Sequence, residues 1–242
     1  MDSSYISFSG IRAAESLIAT SSNNISNMST GAYKAKVQEF STLVKVDATK
    51  TTGVGVSTNP EAVDFTQGKI TSTGSSLDIA IDGQAFFELE NSAGEMFLTR
   101  GGTLFVDDNG FLQLKNGYSL RDRVLVSSDI VDIKISDSGI IQGISNAGEV
   151  LQLGQLSLVG AVSLQELEEK GAGVYKVAQA SNVTQDIDAK SKIVQGAIEL
   201  SNVDLSEELV KLVIAQNMYK ANSNVININN KVSQWLNDLL QG

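Results

Sequence analysis

The sequence predicts an α+β protein, with helices at the two ends of the chain forming a coiled-coil-like core and a central, mainly antiparallel β domain between them. Three observations lead there. Apolar residues recur in steps of three and four near the N-terminus, they do so again near the C-terminus, and the stretch between alternates at strand period and is punctuated by turn sequences.

The first helix is predicted over Tyr5 to Met28, a stretch with no proline and one glycine. Ile11, Ala14, Ile18, Ile25 and Met28, interrupted by the polar Ser21, trace the narrow stripe of a coiled-coil seam. Ser29-Thr30-Gly31 is expected to close it, with Gly31 in the left-handed conformation that costs glycine nothing. The second helix opens at Asn202-Val203-Asp204-Leu205-Ser206-Glu207-Glu208. There Asp204 or Ser206 caps free amides and two glutamates face the positive end of the helix dipole. Leu205, Leu209, Leu212 and Val213 begin a broad apolar band that narrows to Met218, Ala221, Val225, Ile228, Val232, Trp235 and Leu239. About 35 residues at 1.5 Å each make a rod of roughly 50 Å, which needs a partner along its length. Asn217, Asn222, Asn224, Asn227, Asn229, Asn230 and Asn237 surround the seam. Asparagine is a poor helix former, so this density suits a polar face that neighbours contact repeatedly in a polymer.

Between the helices, Leu77, Ile79 and Ile81 alternate with Asp78, Ala80 and Asp82 ahead of Gly83. Strands are predicted over Phe86 to Glu90, Met96 to Arg100, Leu104 to Asp107 and Phe111 to Leu114, with hairpin turns at Asn91-Ser92-Ala93-Gly94 and Asp107-Asp108-Asn109-Gly110. Shorter ones follow at Ile133 to Ile135, Ile140 to Ile144, Val150 to Leu153, Leu156 to Val159 and Val174 to Val177. Leu164 to Lys170 is expected to form a helical turn or two. Residues 41–73, rich in Thr, Ser and Gly and holding the only proline, Pro60, read as an extended arm. The expected divisions are therefore 1–40, 41–73, 74–197 and 198–242.

Composition excludes much. The chain has neither Cys nor His, which removes the thiolate nucleophile, the imidazole base and the commonest zinc ligands together. No enzyme, cofactor or metal site is expected. A net charge of −10 without Lys/Arg clusters argues against nucleic acid, and no long apolar run predicts membrane insertion. Met1-Asp2-Ser3-Ser4-Tyr5 lacks a basic segment followed by an apolar one, so no cleaved signal peptide is expected. Asp107-Asp108-Asn109-Gly110 lacks the spacing of a calcium loop and reads as a hairpin turn. Glu168-Glu169 and Glu207-Glu208 are sequence neighbours that point apart on a helix, which disfavours paired acid and base chemistry. Asn24-Ile25-Ser26, Asn27-Met28-Ser29 and Asn182-Val183-Thr184 match the glycosylation sequon, but a glycan on either of the first two would block helix packing.

Ser22-Asn23-Asn24-Ile25-Ser26-Asn27-Met28-Ser29-Thr30-Gly31-Ala32-Tyr33-Lys34 resembles the N-terminal signature of the axial rod and hook proteins of the bacterial flagellum. Asn23, Asn24, Asn27, Thr30, Gly31, Tyr33 and Lys34 carry the likeness. Ser201 to Val210, with Asn202 and Val203, and Ala215 to Asn222, with Gln216 and Tyr219, are similar to that family's C-terminal segment. Leu77 to Gly83, Phe86-Phe87 and Thr99-Arg100 resemble its central β domain, while Ala85, Gly101 and Asn217 depart from the pattern.

The resemblance implies self-association into a helical tube through both terminal helices, with other rod and hook subunits as partners and the β body outside. It implies passage through the flagellar type III export apparatus and a place in the basal body, in the periplasmic part of the cell envelope. One compact β body favours a proximal or distal rod subunit, with a short hook protein as the alternative. A module binding cell-wall glycan would need clustered exposed aromatics, and the single Trp, Trp235, lies in the second helix.

Overall fold

The computed structural model describes residues 3–47, 50–91, 93–114, 117–171, 173–185 and 191–241; Met1, Asp2 and Ser92, which belong to segments interpreted above, lie outside them. Helices α1 (Ser3–Ser26) and α2 (Leu205–Gln241) flank a β-rich middle, and every ladder among the described residues is antiparallel. The chain divides into two compact units, one of Met1–Ser26, Lys36–Asp64 and Val203–Gly242, the other of Asn27–Ala35 and Phe65–Asn202.

In the helical unit, α2 starts where its capping chemistry demands. The Asp204 carboxylate accepts the amides of Ser206 at 2.7 Å and Glu207 at 3.3 Å, so Asp204 is the cap. The segment expected as an extended arm instead holds a hairpin, Phe40–Asp47 paired with Lys50–Thr58, with a register shift at Leu43/Val44. Its β-branched residues favour pairing, and α1 lies on it. The Val56 amide donates to Ser9 Oγ at 3.1 Å, and a Cβ on Gly55 would fall 2.5 Å from that same oxygen. A two-residue ladder, Lys36–Val37 with Ala62–Val63, completes the unit.

Helix α1 ends at Ser26, two residues before Met28, and Gly31 is not its left-handed residue. Ala32 is, at φ 57, because its amide is held by the Glu199 carbonyl at 2.8 Å, within the β unit. A left-handed alanine costs roughly 1–2 kcal/mol, which this fixed contact offsets.

The β unit is built on a long antiparallel sheet in the order Leu167–Gly171, Val174–Val177, Met96–Thr99, Phe86–Glu90, Ser119–Leu120, Leu112–Leu114, Gly101–Val106, Asp78–Asp82, Lys192–Gln195. A meander of Ile130–Ile135, Ile140–Ser145 and Val150–Gln155 packs beside it, and Ile79, Ile81, Phe87, Leu89, Leu104, Leu112, Leu120 and Ile141 are buried in the shared core. The helical expectation over Leu164 to Lys170 fails after one 3-10 turn, Leu164–Glu166. Leu167 is buried and its strand pairs with Val174–Val177, so tertiary burial overrides the helix propensity of Leu, Glu and Lys. Asp107 closes its hairpin as expected: its carboxylate accepts the Asn109 amide at 2.9 Å, the Phe111 amide at 2.7 Å and the Gln113 side chain at 2.8 Å.

Gly68 has its backbone against the Leu200 carbonyl, where a Cβ would collide, whereas Gly53 faces open space. Gly68→Ala is expected to lower unfolding stability by about 1–3 kcal/mol in urea titration and Gly53→Ala to change it by less than about 0.5 kcal/mol.

Candidate functional site

The two helices meet through small and polar residues. Asn24 Nδ2 donates to Glu208 Oε1 at 3.2 Å, and a Cβ on Gly10 would sit 2.6 Å from the Asn222 side chain. Fourteen residues separate Gly10 from Asn24 and Glu208 from Asn222, so the helices run antiparallel with paired residue numbers adding to 232. That spacing is two heptads. On α1 the line through Gly10, Ala14, Ser21 and Asn24 is buried or half-buried; on α2 the line is Glu208, Ala215, Asn222 and Asn229. Continued at that register, Ser3, the first residue of α1, falls level with Asn229, and every described side chain beyond Asn229 is exposed.

Within one copy, the large apolar residues expected at a coil seam between subunits take only a partial share in this contact. On α1, Ala14 is buried and Ile11, Ile18 and Ile25 are half-buried, but Met28 lies beyond the helix and is exposed. On α2, Leu212 and Met218 are half-buried, whereas Leu209, Ala221, Val225, Ile228, Val232, Trp235 and Leu239 are exposed, Trp235 by 63%. The cause is close approach. With Gly10 against Asn222 there is room at that point only for small side chains; Leu212 and Met218 stay partly covered, while Val225, Ile228, Val232, Trp235 and Leu239 are turned outward.

Asn24 does more than join the helices. Its Oδ1 accepts the Lys36 amide at 2.8 Å and its Nδ2 donates to the Lys36 carbonyl at 2.8 Å, as a neighbouring strand would. Glu208 also receives the Lys211 ammonium at 2.7 Å. Asn24 is fully buried, and Asn182 bonds the Ser163 carbonyl at 2.9 Å and amide at 2.6 Å, so these two of the three sequon side chains are engaged inside the fold.

In the β unit a second constellation collects charges that look unremarkable in sequence. Glu199 accepts from Lys34 Nζ at 2.6 Å, Arg100 Nε at 3.2 Å and the Gly68 amide at 2.8 Å, with Lys34 and Glu199 side chains at 0% exposure. Lys34 also donates to the Thr66 carbonyl at 2.7 Å, and Arg100 donates to the carbonyls of Ala85 at 3.0 Å and Gly83 at 2.5 Å. The Ala35 amide donates to Asn202 Oδ1 at 2.7 Å, and Asn202 Nδ2 donates to the Thr66 carbonyl at 3.1 Å. Beside this cluster Tyr175 packs on Phe65, centroids 5.1 Å apart, and the Arg100 guanidinium lies over Phe86 at 5.5 Å. Burial first, then the charges of Glu169 and Glu199, push the Tyr175 hydroxyl above the ordinary tyrosine range, so it stays neutral at physiological pH.

Of the residues singled out in sequence, Tyr33, Lys34 and Asn24 are buried; Asn27, Thr30, Asn202 and Val203 are half-buried; Asn23, Gly31, Gln216 and Tyr219 are exposed. Gly10, Arg100, Glu199, Glu208, Ala215 and Asn222 were not read as site residues. Arg100, Glu208, Ala215 and Asn222 lay within segments noted for the family likeness or the helix start, whereas Gly10 and Glu199 carried no signal, Glu199 lying 165 positions from Lys34.

An α+β chain that bonds its own terminal helices together, leaves a line of large apolar residues exposed on α2 and holds neither Cys nor His has the build of a structural protein. Comparison with known proteins agrees. Residues 80–143 match the flagellar hook protein FlgE/F/G D1 domain, and residues 194–239 match the flagellar basal body rod FlgEFG protein C-terminal domain. The chain is 30% identical to the flagellar basal-body rod protein FlgG of Buchnera aphidicola subsp. Schizaphis graminum, over 97% of this chain and 98% of that one. It is 29% identical to FlgG of Agrobacterium fabrum, over 91% and 92%, and 30% identical to the flagellar hook-basal body complex protein FlhP of Bacillus subtilis, over 92% and 93%. The chain belongs to the flagellar rod and hook protein family, whose members are structural proteins and not enzymes.

Replacing Glu199 by Ala leaves Lys34 and Arg100 buried without their carboxylate. A loss of about 3–5 kcal/mol is expected by chemical denaturation, against less than about 0.5 kcal/mol for the exposed control Glu207→Ala. Asn24→Ala leaves the Lys36 amide and carbonyl unpaired and should cost about 1–3 kcal/mol in the same measurement.

Proposed function

We propose that this chain is a structural subunit of the flagellar basal-body rod, which polymerises through α1 and α2 into a hollow helical tube that transmits torque. The observation that carries this reading is the outer face of α2. Leu209, Val213, Val225, Ile228, Val232, Trp235 and Leu239 are exposed in a single copy, along a helix of 37 residues and about 56 Å. An apolar face of that length marks an interaction surface, and neighbouring copies would bury it. The coiled-coil core is then completed between subunits. Other rod and hook subunits are the remaining partners, and the export apparatus handles the chain in transit to the periplasmic part of the envelope. The rod names of the relatives support rod over hook. The position of Trp235 on α2 disfavours a glycan-binding β face.

Val225→Asp tests this with little risk to the fold, because Val225 is exposed. The variant should keep its circular dichroism and unfolding midpoint, yet be missing from purified basal bodies and leave cells non-motile. Ile18→Asp, half-buried on α1, should block incorporation too while the β unit stays folded by limited proteolysis. Normal swimming with either variant would show that the helices are not the polymer contact.

A further inference from the structure

Two exposed apolar quartets on α2 share one pattern. Leu209, Val210, Val213 and Ile214 stand at the start of the helix, and Trp235, Leu236, Leu239 and Leu240 near its end, both in the spacing i, i+1, i+4, i+5. Members of both are well exposed, Val210 by 58% and Leu240 by 82%. The second quartet lies past Asn229, where no described residue of α1 stands opposite. The first occupies the outer side of the helix, away from the Glu208–Ala215–Asn222 line.

Twenty-six positions separate the quartets, about 39 Å along the helix, so one copy cannot bring them together. A second copy displaced along α2 brings them side by side with the two helices parallel. Charges then match as well. At that offset Lys231 comes beside Asp204 and Glu207, and Asp238 beside Lys211. We infer that successive copies join head to tail through α2, the Trp235-Leu236-Leu239-Leu240 face of one copy packing on the Leu209-Val210-Val213-Ile214 face of the next. This rests on the polymer reading above and adds to it one specific contact. Because the two faces differ and each copy is displaced along the helix axis, a joined pair still presents one free face of each kind and the contact propagates without closing, as an axial structure requires.

The absence of native cysteine makes the test direct. At the same offset, one turn before the quartets, Ser206 faces Val232 of the neighbouring copy, and within one copy these two lie too far apart for a disulfide. Basal bodies are purified from cells producing the chain with Ser206→Cys and Val232→Cys together, oxidised, and run on a non-reducing gel. Trimers and longer ladders that collapse on reduction are expected, with each single variant giving nothing beyond dimers. Basal bodies that contain the double variant at the unsubstituted level but yield no ladder overturn the head-to-tail contact and leave the polymer reading standing. Absence of the unsubstituted chain from basal bodies overturns both.

Discussion

The buried carboxylate of Glu199 is the interaction on which the β unit depends. Its three donors come from distant parts of the chain, Lys34 in the inbound segment, Gly68 after the hairpin and Arg100 in the sheet. Burying an ion costs several kcal/mol, and mutual attraction repays that only when the whole set is in place. The cluster therefore acts less as added stability than as a selector of one arrangement. Its backbone takes part too, since the Glu199 carbonyl holds Ala32 in its left-handed conformation and its strand pairs with Ile70–Ser72. With Asn202 bonded to the Ala35 amide, the segments entering and leaving the unit are tied together at several points.

The helical unit obeys a different constraint. Gly10 lets Asn222 approach, and the Asn24–Glu208 hydrogen bond penalises any slip in register, because a shifted pairing would leave buried polar groups unpaired. Small and polar side chains inside mean that large apolar ones lie outside. A helix pair arranged for its own stability alone would bury Val225, Ile228 and Trp235. This one exposes them.

Much of the β unit was legible in sequence because each signal is local. Alternation of Leu77, Ile79 and Ile81 with polar neighbours, and the turn chemistry of Asp107 to Gly110, act over a few residues. The Asp204 cap is equally short-ranged. The failures share a cause of the opposite kind. Residues 164–170 look helical until Leu167 is buried against a strand, and Gly31 looks like the helix stop until the Glu199 carbonyl claims the amide of Ala32. The pairing of Arg100 with Glu199 left no local signal, because the two lie 99 positions apart. The residues that carry the family likeness at the N-terminus divide accordingly: Asn24, Tyr33 and Lys34 are interior, while Asn23 and Gly31 face outward.

By itself the sequence determined that two long helices flank an antiparallel β body, that catalysis lacks its usual side chains, and which family the chain resembles. Periodicity, caps and composition are properties of short windows, so they survive without a fold. Only the tertiary structure decided which side of each helix faces the other. Periodicity locates an apolar stripe but not its partner, and the closeness of approach at Gly10 and Asn222 reserves the shared seam for small residues. That closeness leaves most of the predicted α2 stripe facing outward in a single copy.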